Sequence, residues 1–244
     1  MRSRALPVFG LTLLILCTGG CNLFAARYYN ARGLTSYKKG DYDHALADFN
    51  QAIKLNPALA EPYTNRGLIE DLRGEYDRAI ADHDQAIRLK PRLAMAFNNR
   101  GMVFLHKRDY DTAITDFNQA LTLKPNDAIV HTNRALAYYR KADYGQAIRD
   151  GDLAIRLDPG MATAWNNRCL AYLDQGNYEK AIDDCTEAIR LRPTDETYLN
   201  RGLAYSRKGD TASAMIDFNR VQREGSSEAN RKRAETFAKQ LDSK

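Results

Sequence analysis

The sequence predicts an all-α fold, a right-handed superhelical solenoid of six helical hairpins followed by a C-terminal capping helix. Three observations carry that prediction. An Asn-Arg pair recurs at Asn65-Arg66, Asn99-Arg100, Asn133-Arg134, Asn167-Arg168 and Asn200-Arg201, at intervals of 34, 34, 34 and 33 residues. A proline recurs with the same period, at Pro57, Pro91, Pro125, Pro159 and Pro193. Between them, apolar and small residues keep helical spacing, as Phe97, Gly101 and Phe104 do at i, i+4 and i+7. A catalytic residue appears once, whereas a residue that returns every 34 positions belongs to an architecture.

Aligned by that period, the units are 26–59, 60–93, 94–127, 128–161, 162–195 and 195–225. Each begins with a helical stretch and crosses a polar turn such as Gly40-Asp41, Gly74-Glu75, Lys107-Arg108-Asp109, Gly176-Asn177 or Gly209-Asp210. A second stretch then runs to the proline, which cannot continue a helix. Small residues fall where the two helices meet. Gly33, Gly67, Gly101, Ala135, Cys169 and Gly202 hold the first helix, and Ala45, Ala79, Ala113, Ala147, Ala181 and Ala214 the second. One hairpin cannot bury its apolar face alone, so the units must stack. After the sixth, Ala234, Phe237, Ala238 and Leu241 make one apolar face, and 227–242 is read as the capping helix.

These residues resemble the tetratricopeptide repeat family. The likeness rests on the aromatic fourth position (Tyr29, Tyr63, Phe97, Trp165, Tyr198), the small eighth position, and Tyr138, Tyr172 and Tyr205 at the eleventh. The alanines and prolines complete the pattern. The resemblance implies a concave face lined mostly by first helices that takes a peptide or protein segment.

Two residues of the recurring pair have separate expectations. Asn99 turns about 200° from Gly101 and is expected to point into the concavity, as are Asn65, Asn133, Asn167 and Asn200. In some family members asparagines at this position bind peptide, so these amides are candidate groove residues; the other reading is that they cap or space neighbouring first helices. Arg100 and its counterparts Arg32, Arg66, Arg134, Arg168 and Arg201 depart from the family's usual leucine. Every second helix carries an aspartate bordering the packed face: Asp48, Asp82, Asp116, Asp150, Asp184 and Asp217. A guanidinium fork matches a carboxylate, so structural Arg–Asp pairs are expected. The remaining groove candidates are Leu68, Met102, Leu136 and Leu170 at the ninth position, with His106, Tyr139 and Arg140 beyond them. The family's chaperone-tail clamp has asparagine at the ninth position, and this chain lacks it.

Composition is that of a folded chain, with 44% hydrophobic residues, 27% charged residues and a net charge of +5, and it calls for no nucleic-acid partner. The four histidines fall at four different repeat positions, and His83 is expected to be a satisfied core residue. No nucleophile-base grouping, phosphate loop, metal cluster or cofactor motif stands out, so a non-enzymatic scaffold is expected. A carbohydrate-associated envelope protein and a mechanical spacer are the other readings. Cys169 and Cys185 both face inward in one unit, which leaves open a disulfide or two buried thiols.

At the N-terminus, Arg2 and Arg4 precede the apolar run from Ala5 to Cys17, which is too short to span a bilayer and reads as a secretory signal over 1–21. Gly19-Gly20-Cys21 resembles the end of a bacterial lipobox, with Thr18 where leucine is usual. That implies export to the periplasm and a lipid anchor at Cys21; ordinary cleavage nearby and an uncleaved anchor are the alternatives.

Overall fold

The computed structural model describes residues 9–242, with side chains from 22 to 241. The signal reading of 1–21 and the lipidation reading of Cys21 therefore fall outside the described side chains. The described residues form thirteen helices: α1 Phe9–Lys38, α2 Tyr42–Leu55, α3 Ala60–Leu72, α4 Tyr76–Leu89, α5 Ala94–His106, α6 Tyr110–Leu123, α7 Ala128–Arg140, α8 Tyr144–Leu157, α9 Ala162–Gln175, α10 Tyr178–Leu191, α11 Asp195–Lys208, α12 Thr211–Glu224 and α13 Glu228–Asp242. The all-α class expected from the repeat is the one found. Two units divide the chain, Met1–Lys107 with α1–α5 and Arg108–Lys244 with α6–α13.

Local chemistry sets the helix ends. Asp41, Asp109, Asp143, Asn177 and Asp210 cap second helices, each side chain accepting a hydrogen bond from a first-turn N–H. The residue before each proline leaves helical geometry, as Lys90, Lys124 and Asp158 do with φ near −142°. The turn between paired helices needs one residue at positive φ, supplied by Gly40, Gly74, Gly176 and Gly209. In the third and fourth repeats Arg108 and Ala142 adopt it instead, at φ 63° and 61°.

In each unit, consecutive helices pack as hairpins and first helices also pack on one another. α1 meets α3 and α3 meets α5; α7 meets α9, α9 meets α11, and α11 meets α13. Among the described residues, second helices meet none of their own kind within a unit. First helices thus form an inner layer in each unit, and second helices an outer one. At the C-terminal end α13 buries Ala234 and Ala238 in a cluster with Phe218, Val221 and Leu199.

The crossing point of each hairpin places one small residue opposite one larger one, and the repeats fill it in four ways. A Cβ on Gly33 would lie 2.6 Å from the Phe49 ring, and one on Gly202 would lie 2.5 Å from Phe218, so only glycine admits the ring. In the fourth repeat Ala135 faces Gly151, and the aliphatic stem of Arg168 from the next repeat lies 3.0–3.3 Å from where a Gly151 Cβ would stand. In the fifth, Cys169 and Cys185 are joined by a disulfide across a Cα separation of 5.5 Å. In the second, Gly67 faces His83.

His83 departs from expectation. It is fully buried, and neither ring nitrogen has a hydrogen-bond partner. Phenylalanine fills the same slot at Phe49 and Phe218. Burial pushes it down from 6.5 to about 4. Nearby, Glu70 stands where later repeats place Tyr138, Tyr172 or Tyr205, and burial pushes its carboxyl up to about 7.

Two outcomes follow from these slots. Unfolded His83 takes a proton near 6.5 and folded His83 near 4, so stability is whole above pH 6.5 and falls as pH drops toward 4. The full difference is roughly 3 kcal/mol. His83→Phe should raise the melting temperature, followed by circular dichroism, more at pH 5 than at pH 7.5; an equal gain at both would exclude titration as the cause. The Cys169–Cys185 bond spans 16 residues of chain. Reducing it should cost about 3 kcal/mol. A Cys169→Gly/Cys185→Phe variant, which restores the pairing of the first repeat, should melt at the same temperature with and without reductant.

Candidate functional site

The inner layer contains the predicted site residues, and the recurring arginine organises it. Arg66 donates from Nε and Nη2 to both oxygens of Asp82 at 2.7 and 2.6 Å. Arg134 holds Asp150 at 2.7 Å twice, Arg168 holds Asp184 at 2.7 Å twice, and Arg201 holds Asp217 at 2.8 Å twice. Arg32 grips Asp48 in the same way. These carboxylates are nearly covered: Asp82, Asp150, Asp184 and Asp217 expose at most 8% of the side chain.

The third donor of the fork reaches further. Arg66 Nη1 meets Asn50, Arg100 Nη1 meets Asp84, Arg134 Nη1 meets Asn118, Arg168 Nη1 meets Asp152 and Arg201 Nη1 meets Thr186, all in the preceding repeat. In five repeats the guanidinium also lies over the aromatic ring three residues earlier, from 4.9 Å at Arg32 over Tyr29 to 5.8 Å at Arg66 over Tyr63. One side chain thus joins the two helices of its hairpin and the hairpin before. Lysine, a point charge, has no geometry for this. In the fourth repeat His131 takes the aromatic slot, with Nδ1 3.0 Å from Asp150 and Nε2 3.0 Å from the Pro125 carbonyl. Burial works to raise Asp150, yet the hydrogen bonds from Arg134 and His131 hold it below the ordinary carboxylate range.

The asparagine ladder is placed differently from the expectation. Asn65, Asn99 and Asn200 are 7–8% exposed, and Asn133 and Asn167 are half-buried. Asn65 donates to Asn30 Oδ1 at 2.8 Å, Asn167 to the Thr132 carbonyl at 3.3 Å and Asn200 to Asn166 Oδ1 at 3.1 Å. Asn99 accepts from Asn98 at 3.2 Å. A rotation of 200° from the packed face turns this position toward the preceding first helix, and the short amide bridges the seam. Asn65, Asn167 and Asn200 thus bond across to the preceding first helix, and Asn65, Asn99 and Asn200 are buried.

Side chains further along the first helices are more open. Leu68, Met102, Leu136 and Leu170 are half-buried, and Arg140 and His106 are exposed. Tyr139 donates to Asp174 Oδ2 at 2.8 Å, and Arg207 donates to Asp174 Oδ1 at 3.2 Å. Burial, then Asp174, pushes the Tyr139 hydroxyl up to about 12. His106 lies 2.9 Å from Asp71, whose hydrogen bond raises the imidazole. Thr163, Asn166, Arg192, Glu196 and Asn230 line a polar cavity of about 280 Å³ in the second unit. Among the described residues no cluster of His, Cys, Asp or Glu is placed to hold a metal ion.

Sequence reading missed two features whose signals were present. Arg73–Asp43, Lys107–Asp77, Lys141–Asp111 and Lys208–Glu179 form a ladder of exposed ion pairs across repeats, signalled by a basic residue at the end of nearly every first helix. The polar residue two places after each paired aspartate signals the arginine's third partner. We propose these arginines as frame residues. Arg134→Ala should cost about 3–5 kcal/mol in chemical denaturation by leaving Asp150 buried without its fork. Arg134→Lys should recover only part of it; full recovery by lysine would mean that charge alone matters.

With this geometry in place, comparison with known proteins is informative. Tetratricopeptide repeat models match residues 162–195 and 195–223, and a further model of the same repeat matches 26–69 and 103–141. No curated protein matches the chain. Among solved structures, PilF of Pseudomonas aeruginosa is similar at 16% identity and a TM-score of 0.76, covering 88% of this chain and 99% of that one. PilW, described as a widely conserved type IV pilus biogenesis factor, has 17% identity and a TM-score of 0.78 over 85% of this chain and 96% of that one. YrrB, described as having an unusual peptide-binding site, has 20% identity and a TM-score of 0.59 over 77% and 97%. At these identities the structural likeness speaks for fold, and the repeat models carry the assignment: the chain belongs to the tetratricopeptide repeat family.

Proposed function

We propose that the protein is a non-enzymatic scaffold that holds an extended segment of a partner protein along the inner, first-helix layer of its second unit. The observation that carries this is a row of half-open side chains along successive first helices. Ile129, 56% exposed, and the half-buried Leu136 and Leu170 offer apolar contact, flanked by Tyr139, Asp174 and Arg207. An extended chain meets such a surface with apolar side chains and uses the fixed polar groups for register. The frame asparagines set the spacing of that row. YrrB, with its peptide-binding site, lends support to a peptide partner, and PilW to a role in assembly.

The same proposal places the protein outside the cytosol, tethered through Cys21. Support comes from the charged and apolar N-terminal segment and from the Cys169–Cys185 bond, which persists in an oxidising compartment. Among the described residues no helix is long and apolar enough to cross a membrane.

Cross-linking in the native host followed by affinity measurement tests the reading. Leu136→Ala/Tyr139→Ala/Leu170→Ala should weaken the captured partner at least tenfold, because each truncated contact is worth on the order of 1 kcal/mol. Ile216→Ala, on the outer layer at 69% exposure, should leave it unchanged. Equal loss in both would sink the inner-layer assignment.

A further inference from the structure

The two ends of the repeat series are finished differently. At the C-terminal end α13 covers the last hairpin. On the first hairpin, Phe24, Arg27, Tyr28 and Ala31 fall at i, i+3, i+4 and i+7 along α1, and all four are exposed. Phe24 and Tyr28 are 77% and 60% exposed, among the most open large apolar side chains in the protein. Beside them Arg32 is 52% exposed, against 15–24% for Arg66, Arg134, Arg168 and Arg201. Its fork holds Asp48, and its guanidinium lies 5.7 Å from the Tyr28 ring centre.

This strip combines two aromatic rings with two cations, a composition suited to a membrane–water interface. Its position points to the same occupant. Phe24 stands three residues and Tyr28 seven residues beyond Cys21, about 4.5 Å and 10 Å of helix. We propose that the open face of the first hairpin lies flat on a bilayer containing anionic lipid. Phe24 and Tyr28 sit among the headgroups, and Arg27 and Arg32 meet lipid phosphate. The inference rests on the tethered reading above and extends it, because a tether alone leaves α1 free to stand upright with Tyr28 in water.

The test uses the full chain reconstituted into vesicles of phosphatidylethanolamine and phosphatidylglycerol, with Tyr28→Trp in a Trp165→Tyr background. Tyrosine already fills the Trp165 slot at Tyr63 and Tyr198, so that exchange keeps the fold. The expected result is a blue shift of the residue-28 emission and its loss when the lipid acyl chains are brominated near the headgroup. Arg27→Glu should reduce both effects. Vesicle-bound protein whose residue-28 emission is neither shifted nor quenched would overturn this proposal and leave the tether standing. Protein that fails to associate with the vesicles would overturn both.

Discussion

Everything in this protein hangs on how one guanidinium is shared. At the seventh position of five repeats an arginine (Arg32, Arg66, Arg134, Arg168, Arg201) places two donors on a buried aspartate of its own hairpin. In five repeats its third donor meets a side chain of the hairpin before. A hairpin of this size cannot bury enough apolar surface to stand alone, and the stack is stable only through its junctions. The charge is desolvated on both sides, so the pair is costly to break even where its net contribution is small. An aromatic ring lies against the guanidinium in five repeats and helps to exclude water from it. Register, spacing and hairpin angle therefore come from one side chain.

That constraint explains which positions vary. With the arginine holding the frame, the crossing point of each hairpin is free to be filled in several ways: glycine against phenylalanine, glycine against histidine, alanine with glycine and a borrowed arginine stem, or a disulfide. These fillings differ in what they respond to. The histidine weakens its repeat in acid, and Glu70 in the same repeat works the other way, its stability falling as pH rises from about 4.5 to about 7. The disulfide makes the fifth repeat sensitive to reductant. One frame thus has repeats of different sensitivity along its length.

The seam amides show how the same frame shapes the inner surface. The packing of first helices on one another brings Asn65, Asn167 and Asn200 within hydrogen-bond reach of the preceding first helix. All three are hydrogen-bonded there, so the proposed recognition falls to longer side chains such as Tyr139, Arg140 and Leu170. Asp174 joins Tyr139 and Arg207 from three different first helices, so this part of the surface is preorganised.

The fold was legible in the sequence because period, proline, glycine and small-residue spacing are local signals repeated many times, and repetition removes the ambiguity of any one. Much of the site was not. The helical wheel gives Asn65 a direction relative to Gly67 but not the identity of what stands there, and only the packing of neighbouring first helices set Asn30 beside it. Likewise the sequence paired each arginine with an aspartate, since both recur at fixed offsets, while its third partner depends on how one hairpin is set against the next. His83 read as a satisfied residue because a wheel reports burial without reporting polar partners. By itself the sequence determined the helices, their pairing and the chemistry available at each position. The tertiary structure decided which of those groups face each other and which remain open, because both depend on distances between chain segments that no linear spacing records.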